Sequence, residues 1–220
     1  MAFKGKATSN GQSGSGGDFP RAPAGNHPAC LVAIVDLGTQ TVRKFQSEET
    51  EDVHKVFLLW ELVECPIPGL NENHLIGRDY RLSYHEKAAL RLMMEGWRGK
   101  AYADGEEIDI GAALGRKCLL NVKSRPSKSD PLKSFPSIEG VNPPPRGFKI
   151  SDPLNRPVAW ELGENALHDL PAFAADYFHY GQAVKEWVEE SKEWKASPEP
   201  EGTPGQPAAV GEAGEDEHPF

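Results

Sequence analysis

The residues best suited to chemistry in this chain are basic side chains that gather between positions 115 and 150. This stretch holds eight Lys or Arg residues against two acidic ones, although the whole chain carries a formal net charge of −9. Cations along a surface neutralise successive phosphates of a polyanion, and aromatic rings beside them can stack on bases. The pattern therefore predicts a surface that binds nucleic acid. A solvated basic face without a ligand is the alternative.

The cations expected to contact phosphates lie on the predicted fourth strand, in the loop after it, in the first long loop, and on the predicted second and third strands. The rings expected to stack lie close to these cations, and each useful stack contributes about 1–3 kcal/mol. Phosphate contacts do not distinguish single strands from duplexes or DNA from RNA, so that choice stays open. The candidate nucleic-acid-binding residues are Arg43, Lys44, Lys55, Phe57, Arg78, Tyr80, Arg81, Lys117, Lys123, Arg125, Lys128, Lys133 and Phe135.

The acidic C-terminal stretch is a second feature with binding chemistry. Residues 196–220 contain six acidic residues and no Lys or Arg, and their composition predicts disorder. Acidic side chains would steer such a peptide to a basic rim, while Phe220 fills an apolar pocket and its carboxylate meets an Arg or Lys. A solubilising tail is the alternative. The candidate partner-binding residues are Glu215, Asp216, Glu217, Pro219 and Phe220.

The phosphate-binding, dinucleotide-binding, nucleophile-elbow and zinc motifs of enzymes are all absent from the sequence. The acidic residues of 104–109 could hold Mg²⁺, but their position beside Gly105 favours a solvated turn. The three cysteines have no CxxC spacing, which is typical of buried thiols in a reducing compartment. We therefore expect a protein that is not an enzyme and that uses no metal or other cofactor.

The chain also lacks the signals of membrane insertion and export. No apolar run approaches the ~18–20 residues of a membrane span, and the first residues lack the apolar stretch of a secretory signal. We expect a soluble protein of the cytoplasm that makes no contact with membranes.

The elements that must position the candidate residues are mostly strands. A helix is predicted for 85–97, with Ser83 and Glu86 as its capping box and Gly99 as its end. A polar loop is predicted for 38–52. Apolar alternation and β-branched residues predict strands at 30–35, 53–63, 76–82, 117–125 and 137–141.

The C-terminal part of the body is predicted to be helical. An amphipathic helix is expected over 182–194, with Val184, Trp187, Val188 and Trp194 on one stripe. Its tryptophans would pack against the domain or form the contact of a homodimer. Residues 170–178 are weakly helical in pattern, and the state of 157–162 is not assigned.

Three strands, one helix and two further strands follow the order of the OB-fold, a five-stranded barrel that binds oligonucleotides. The predicted fold class is therefore mainly β with flanking helices: a five-stranded OB-fold-like barrel with one helix between strands 3 and 4, plus a C-terminal amphipathic helix. Residues 1–27 would be a disordered arm, 28–195 the binding domain with its helical extension, and 196–220 the acidic tail.

Parts of the chain resemble known families. The stretches PAGNHPACLVAIVDLGTQ, VFLLWEL, YRLSYHEKAALRLMMEGWRG and LGRKCLLNV resemble tailed-phage proteins encoded among replication and recombination genes. The acidic ending in Pro-Phe resembles the tails of bacterial and phage single-stranded-DNA-binding proteins, although His218 stands where bacterial tips usually carry an aliphatic residue.

The resemblance implies an OB-fold protein that binds single-stranded DNA in the cytoplasm of a bacterial host. Its tip would recruit replication or recombination enzymes such as a helicase, polymerase, primase or exonuclease. The alternative is a non-enzymatic adaptor of the replication machinery whose body does not bind DNA.

Overall fold

The computed structural model describes residues 21–44, 47–127, 134–163 and 178–196. This part of the chain is mainly β, with few helices, as predicted. The strands are β1 (Gly25–Arg43), β2 (Thr50–Pro66), β3 (Asn73–Arg81), β4 (Lys117–Pro126), β5 (Ser134–Asn142) and β6 (Val158–Trp160). The helices are α1 (Ala89–Arg98), α2 (Phe178–Glu189) and α3 (Lys192–Ala196), with a 3₁₀ turn at Gly111–Ala113.

Five of the strands form one antiparallel path in the order β3-β2-β1-β4-β5, and β6 adds in parallel to β1. Strand β1 is central because it pairs with β2 along most of its length and with β4 through its first residues. Helix α1 lies between β3 and β4 in the chain, as predicted. The path is not a closed barrel, since among the described residues no backbone ladder joins its ends, β3 and β5.

The first two strands are longer than predicted. Residues 38–43 and 50–52, expected in a loop, continue the β1–β2 hairpin, with Arg43 opposite Thr50. Their polar side chains hide the strand pattern, but the paired backbones still satisfy each other's N–H and C=O groups. Strand β1 also begins at Gly25, inside the segment predicted to be a disordered arm.

Helix α1 begins later than predicted. Its N-cap is Ala88, which makes no side-chain capping bond, so the predicted capping box of Ser83 and Glu86 is wrong. The residues before Ala88 form a turn, in which the Ala88 N–H bonds to the His85 carbonyl. The predicted end is confirmed: Gly99 is left-handed, with φ of 72°, and its N–H reaches the last carbonyls of the helix.

Apolar layers cover both faces of β1 and β2. An inner layer, which includes Leu58 and Trp60 of β2, packs against α1, β4 and β5. An outer layer, which includes Phe57 and Leu59, is covered by β6, α2 and α3. A strand buried on both sides is mostly apolar on both sides, which explains the apolar run over residues 56–60 of β2.

The C-terminal helical segment has a break that the sequence pattern did not predict. Helix α2 ends at Glu189, and Ser191 caps α3 by accepting a hydrogen bond from the Trp194 N–H at 3.1 Å. Val184 and Val188 are buried in the outer layer, as their stripe predicted, and both tryptophans pack against it. The unassigned stretch 157–162 contains β6, whereas the weakly helical 170–177 lies outside the described residues.

Within the described ranges, none of the helices combines the length and the apolar character that crossing a membrane requires.

Candidate nucleic-acid interface

The two ends of the sheet path approach each other and leave a gap, which we call the seam. The seam has a volume of about 260 Å³ and is lined by residues 77–79 of β3, Arg125 of β4 and residues 135–139 of β5. The Arg78 guanidinium crosses it, donating from Nη1 to the Ile138 carbonyl at 3.2 Å. The same guanidinium lies 5.0 Å from the centre of the Tyr80 ring. A side chain therefore bridges the ends where a backbone ladder is missing.

Two predicted cations share one carboxylate beside the seam. Arg125 donates from Nε to Glu139 at 2.9 Å and contacts the same oxygen through Nη2, while the Lys123 Nζ lies 3.6 Å from the other oxygen. The pKa of Glu139 is lowered, mainly by the hydrogen bond from Arg125. Burial acts in the opposite direction, and the charges of Arg125 and Lys123 lower the pKa further. The Lys123 and Arg125 side chains are 64% and 56% exposed, so both remain within reach of a ligand.

A second ion pair lies on the opposite wall. The Nζ of Lys55 on β2 is 2.8 Å from the carboxylate of Asp79, which lines the seam. The described groups around the seam thus comprise four predicted cations and two acids, an excess of positive charge. The four cations are Lys55, Arg78, Lys123 and Arg125.

The aromatic candidates divide into one accessible ring and two buried ones. Phe135 lines the seam and is half-buried. Phe57 is 1% exposed, and its ring centroid lies 5.5 Å from those of both Tyr180 and Trp187 on α2. Tyr80 is 3% exposed in the inner layer, where burial raises its pKa to about 12.

The expectation that Phe57 and Tyr80 stack on bases is therefore corrected. Phe57 lies under a helix that follows it by more than a hundred residues in the chain, and no local pattern announces that cover. Tyr80 faces inward because it pairs with Val56, whose side chain belongs to the inner layer. In this structure neither ring offers a face to a base.

Three further predicted cations lie at the β1–β2 hairpin or next to it, and none lines the seam. Arg43 pairs with Glu48 at 2.8 Å, and Lys44 pairs with Glu49 at 2.7 Å, both within the hairpin. Arg81 pairs across to Glu51 at 2.6 Å. These local pairs reduce the positive charge that the hairpin presents to a ligand.

Lys117 serves the fold more than the predicted binding surface. Its Nζ donates to the Ile150 carbonyl at 2.6 Å and to Asp152 at 2.8 Å, which ties the chain after β5 to the sheet. It also opens β4, whereas Arg125 lies eight residues further on, roughly 26 Å along an extended strand. The predicted basic face of β4 is therefore divided between two distant places.

The remaining predicted binding residues lie outside the described part of the chain. They are Lys128 and Lys133 of the predicted interface, and Glu215, Asp216, Glu217, Pro219 and Phe220 of the predicted tip.

The sequence reasoning missed the two acids of the seam and the tyrosine above it. Glu139 is one of two acidic residues in a stretch that is otherwise basic, and that charge was the available signal. The Tyr180 hydroxyl accepts from the Gly77 N–H at 3.2 Å and lies 3.4 Å from the Leu75 carbonyl oxygen, to which it donates. Nothing in the local sequence of Tyr180 points to that contact, because β3 lies about a hundred residues earlier.

The described residues also bear on cofactor and thiol chemistry. Within them, no three His, Cys, Asp or Glu side chains come together to hold a metal ion. In the acidic cluster of 104–109, Glu106 pairs with Arg98 at 2.6 Å. The three cysteines are free thiols, and burial raises the pKa of Cys30 to about 11.

Comparison of the chain with known protein families, known proteins and solved structures finds no match.

Proposed function

We propose that this protein binds single-stranded DNA with little sequence preference and serves phage DNA replication or recombination. The observation that carries the proposal is the seam, where Arg125 and the ring of Phe135 line one gap at the edge of the sheet. Exposed cations beside an accessible ring are the two groups that a sequence-tolerant binder needs.

We further propose that the sheet is an opened form of the OB-fold. Two features support this: β1 pairs with both β2 and β4, and β3 and β5 approach at the seam. The OB-fold is itself a partly open five-stranded barrel, which binds oligonucleotides with its second and third strands and the loops 1–2 and 4–5. Here the corresponding hairpins carry Arg43 and Lys44 on one side, and Lys123 and Arg125 on the other.

The size and surroundings of the seam suggest how the strand would lie. A gap of about 260 Å³ is smaller than the ~300–1,000 Å³ of pockets for drug-sized ligands, so it suits one unit of an extended polymer. Helix α2 covers the outer face of β2 around Phe57. The single-stranded DNA would therefore follow the seam, with a base stacked on Phe135 and phosphates at Lys123 and Arg125.

The acidic tip would recruit partners to the coated strand. We propose that Phe220 and the acids before it bind a helicase, polymerase, primase or exonuclease in the host cytoplasm. Pro219 restricts the backbone before Phe220, which reduces the entropy lost on binding.

One observation favours a second candidate function, a non-enzymatic adaptor whose body does not bind DNA. Phe57 and Tyr80 are buried, and Arg43, Lys44 and Arg81 are already paired with nearby carboxylates. A body whose hairpin cations are paired, and which offers one accessible candidate ring among the described residues, would then act only as a support for the tip.

Fluorescence anisotropy with labelled oligo-dT of about 30 nucleotides, longer than the ~4–16 nucleotides that one OB-fold covers, separates the two functions. We expect tight binding that weakens steeply with salt, and weak binding to duplex of equal length. Phe135→Ala should weaken binding, whereas Phe148→Ala, which removes an exposed ring outside the seam, should not. Absence of binding at low salt, even after deletion of 212–220, would leave the adaptor as the function.

Arg125→Met tests the electrostatic part of the same proposal. Its matched control is Lys87→Met, which removes one charge from a side chain that is 85% exposed and outside the seam. Loss of affinity and a shallower salt slope for Arg125→Met alone would assign a phosphate contact to Arg125. Equal effects of both variants would show only a response to net charge.

A further inference from the structure

Glu139 occupies the place where a ligand phosphate would meet the seam. Its side chain, 21% exposed, lies between two cations that are each more than half exposed. It accepts from two donors of Arg125, and the Lys123 Nζ lies 3.6 Å from its other oxygen. A phosphate that approached either cation would therefore find the carboxylate already there.

Arg78, which reaches across the gap from β3, is held differently. It donates to the Ile138 carbonyl and lies over the Tyr80 ring, so it braces the two ends of the sheet. Lys123 and Arg125 have no such backbone anchor among their described contacts. They are the cations that can turn from Glu139 toward a ligand.

We propose that the Glu139 carboxylate competes with a nucleic-acid phosphate for Lys123 and Arg125. This inference rests on the proposed function of the seam, and it states how charge regulates the affinity of the seam for DNA. Ion pairs between exposed side chains contribute little to the stability of a protein, so a phosphate can replace the carboxylate at modest cost. The carboxylate holds both cations near the seam in the free protein and lowers their net charge by one. The carboxylate thereby reduces the affinity of the seam for single-stranded DNA and makes release of the DNA easier.

The test compares Glu139→Gln with Glu106→Gln by oligo-dT anisotropy across a salt series. Glu106→Gln is a matched control because it makes the same change in net charge and also frees one arginine, Arg98, outside the seam. We expect Glu139→Gln to tighten binding about threefold to tenfold at low salt and to steepen the slope of log K against log salt by about 0.7, the value for one additional phosphate contact on a single strand. Glu106→Gln should leave both quantities near those of the wild type.

A second pair of variants separates competition from a general effect of charge. Glu139→Ala should tighten binding as Glu139→Gln does, because both remove the negative charge. In an Arg125→Met background, Glu139→Gln should have a smaller effect, since one of the two competing partners is gone. Thermal unfolding of each variant confirms that the comparison is made between folded proteins.

The outcomes distinguish this inference from the proposed function. Affinity of Glu139→Gln equal to or below that of the wild type, with wild-type binding intact, overturns the competitor and leaves the single-strand binder. Binding by Glu139→Gln but not by the wild type supports the competitor and overturns the proposed function of the unmodified protein. Absence of binding by both overturns both.

Discussion

The ring of Phe57 lies directly over the backbone of Gly77, on the neighbouring strand. A Cβ atom at position 77 would fall 2.1 Å from the Phe57 Cζ, a separation that real Cβ atoms do not show. The missing side chain of Gly77 leaves space for the ring under α2, where the Tyr180 hydroxyl also accepts from the Gly77 N–H. One glycine thus makes room for the contact that removes Phe57 from the candidate interface.

Gly77→Ala should therefore destabilise the fold. The added methyl group must displace a ring held between Tyr180 and Trp187, and overpacking of this kind costs about 1–3 kcal/mol. Urea unfolding followed by tryptophan fluorescence measures the loss. Gly163→Ala is the control, because nothing lies within 4 Å of its Cβ position. Equal stability of the two variants would show that the Phe57 ring can move aside freely.

Glu61 should be required for the chain after β5 to stay in place. Its carboxylate is fully buried and accepts from the Asn73 side chain, the Leu154 N–H and two donors of Asn155, at 2.7–2.9 Å. Glu61→Ala leaves these donors without an acceptor, and the cost is about 1–3 kcal/mol for a donor that water cannot reach, such as the amide of the buried Asn73.

Chemical unfolding of Glu61→Ala should show a loss of at least about 2 kcal/mol. The matched control is Glu49→Ala, which removes an exposed carboxylate whose partner is a single lysine. A change no larger than that of the control would mean that water enters and satisfies the donors.

Acidification should release α3 from the β1–β2 hairpin. Glu193 accepts from the Thr39 N–H at 2.7 Å and from its hydroxyl at 2.6 Å, and Lys192 contacts Asp52. The hydrogen bond from Lys192 lowers the pKa of Asp52. Burial raises the pKa of Glu193, but the hydrogen bonds from Thr39 outweigh it, so the net shift is also downward.

The direction of both shifts sets the pH window. A carboxyl whose folded pKa lies below its unfolded value of about 4 stabilises the fold at pH above 4, and this contribution is lost as the pH falls through the folded pKa. We expect Trp194 fluorescence to report release below about pH 4. The double variant Asp52→Asn/Glu193→Gln should flatten this dependence, and an unchanged profile would assign the acid transition to other carboxyls.

Deletion of 212–220 should tighten binding of oligo-dT if the acidic tail competes with DNA for the basic seam. The effect should be largest at low salt and should fade as the Debye length shrinks. A full-length variant with Glu212, Glu215, Asp216 and Glu217 changed to their amides separates charge from length. Equal affinity of the truncated and full-length proteins at low salt would contradict competition by the tail.

The sequence by itself determined the order of β1 to β5, the place of α1 between β3 and β4, and the helical character of the C-terminal segment. Apolar alternation located β2, β3, β4 and β5, and Gly99 marked the end of α1. These signals are readable in the sequence because each depends only on residues a few positions apart. One part of the candidate site also depends on local pairing. Arg125 and Phe135 lie opposite each other in the hairpin of β4 and β5, so their proximity follows from the pairing of two neighbouring strands.

Tertiary structure alone decided which predicted residues are accessible. Both faces of β2 are apolar, so the sequence did not indicate which face would be covered. Phe57 is buried by helix α2, which lies far along the chain. The approach of Arg78 to Ile138, sixty residues apart, and the two carboxylates of the seam likewise depend on how the sheet curves. Burial and ion pairing arise from contacts between distant segments, and such contacts leave no period in the local sequence.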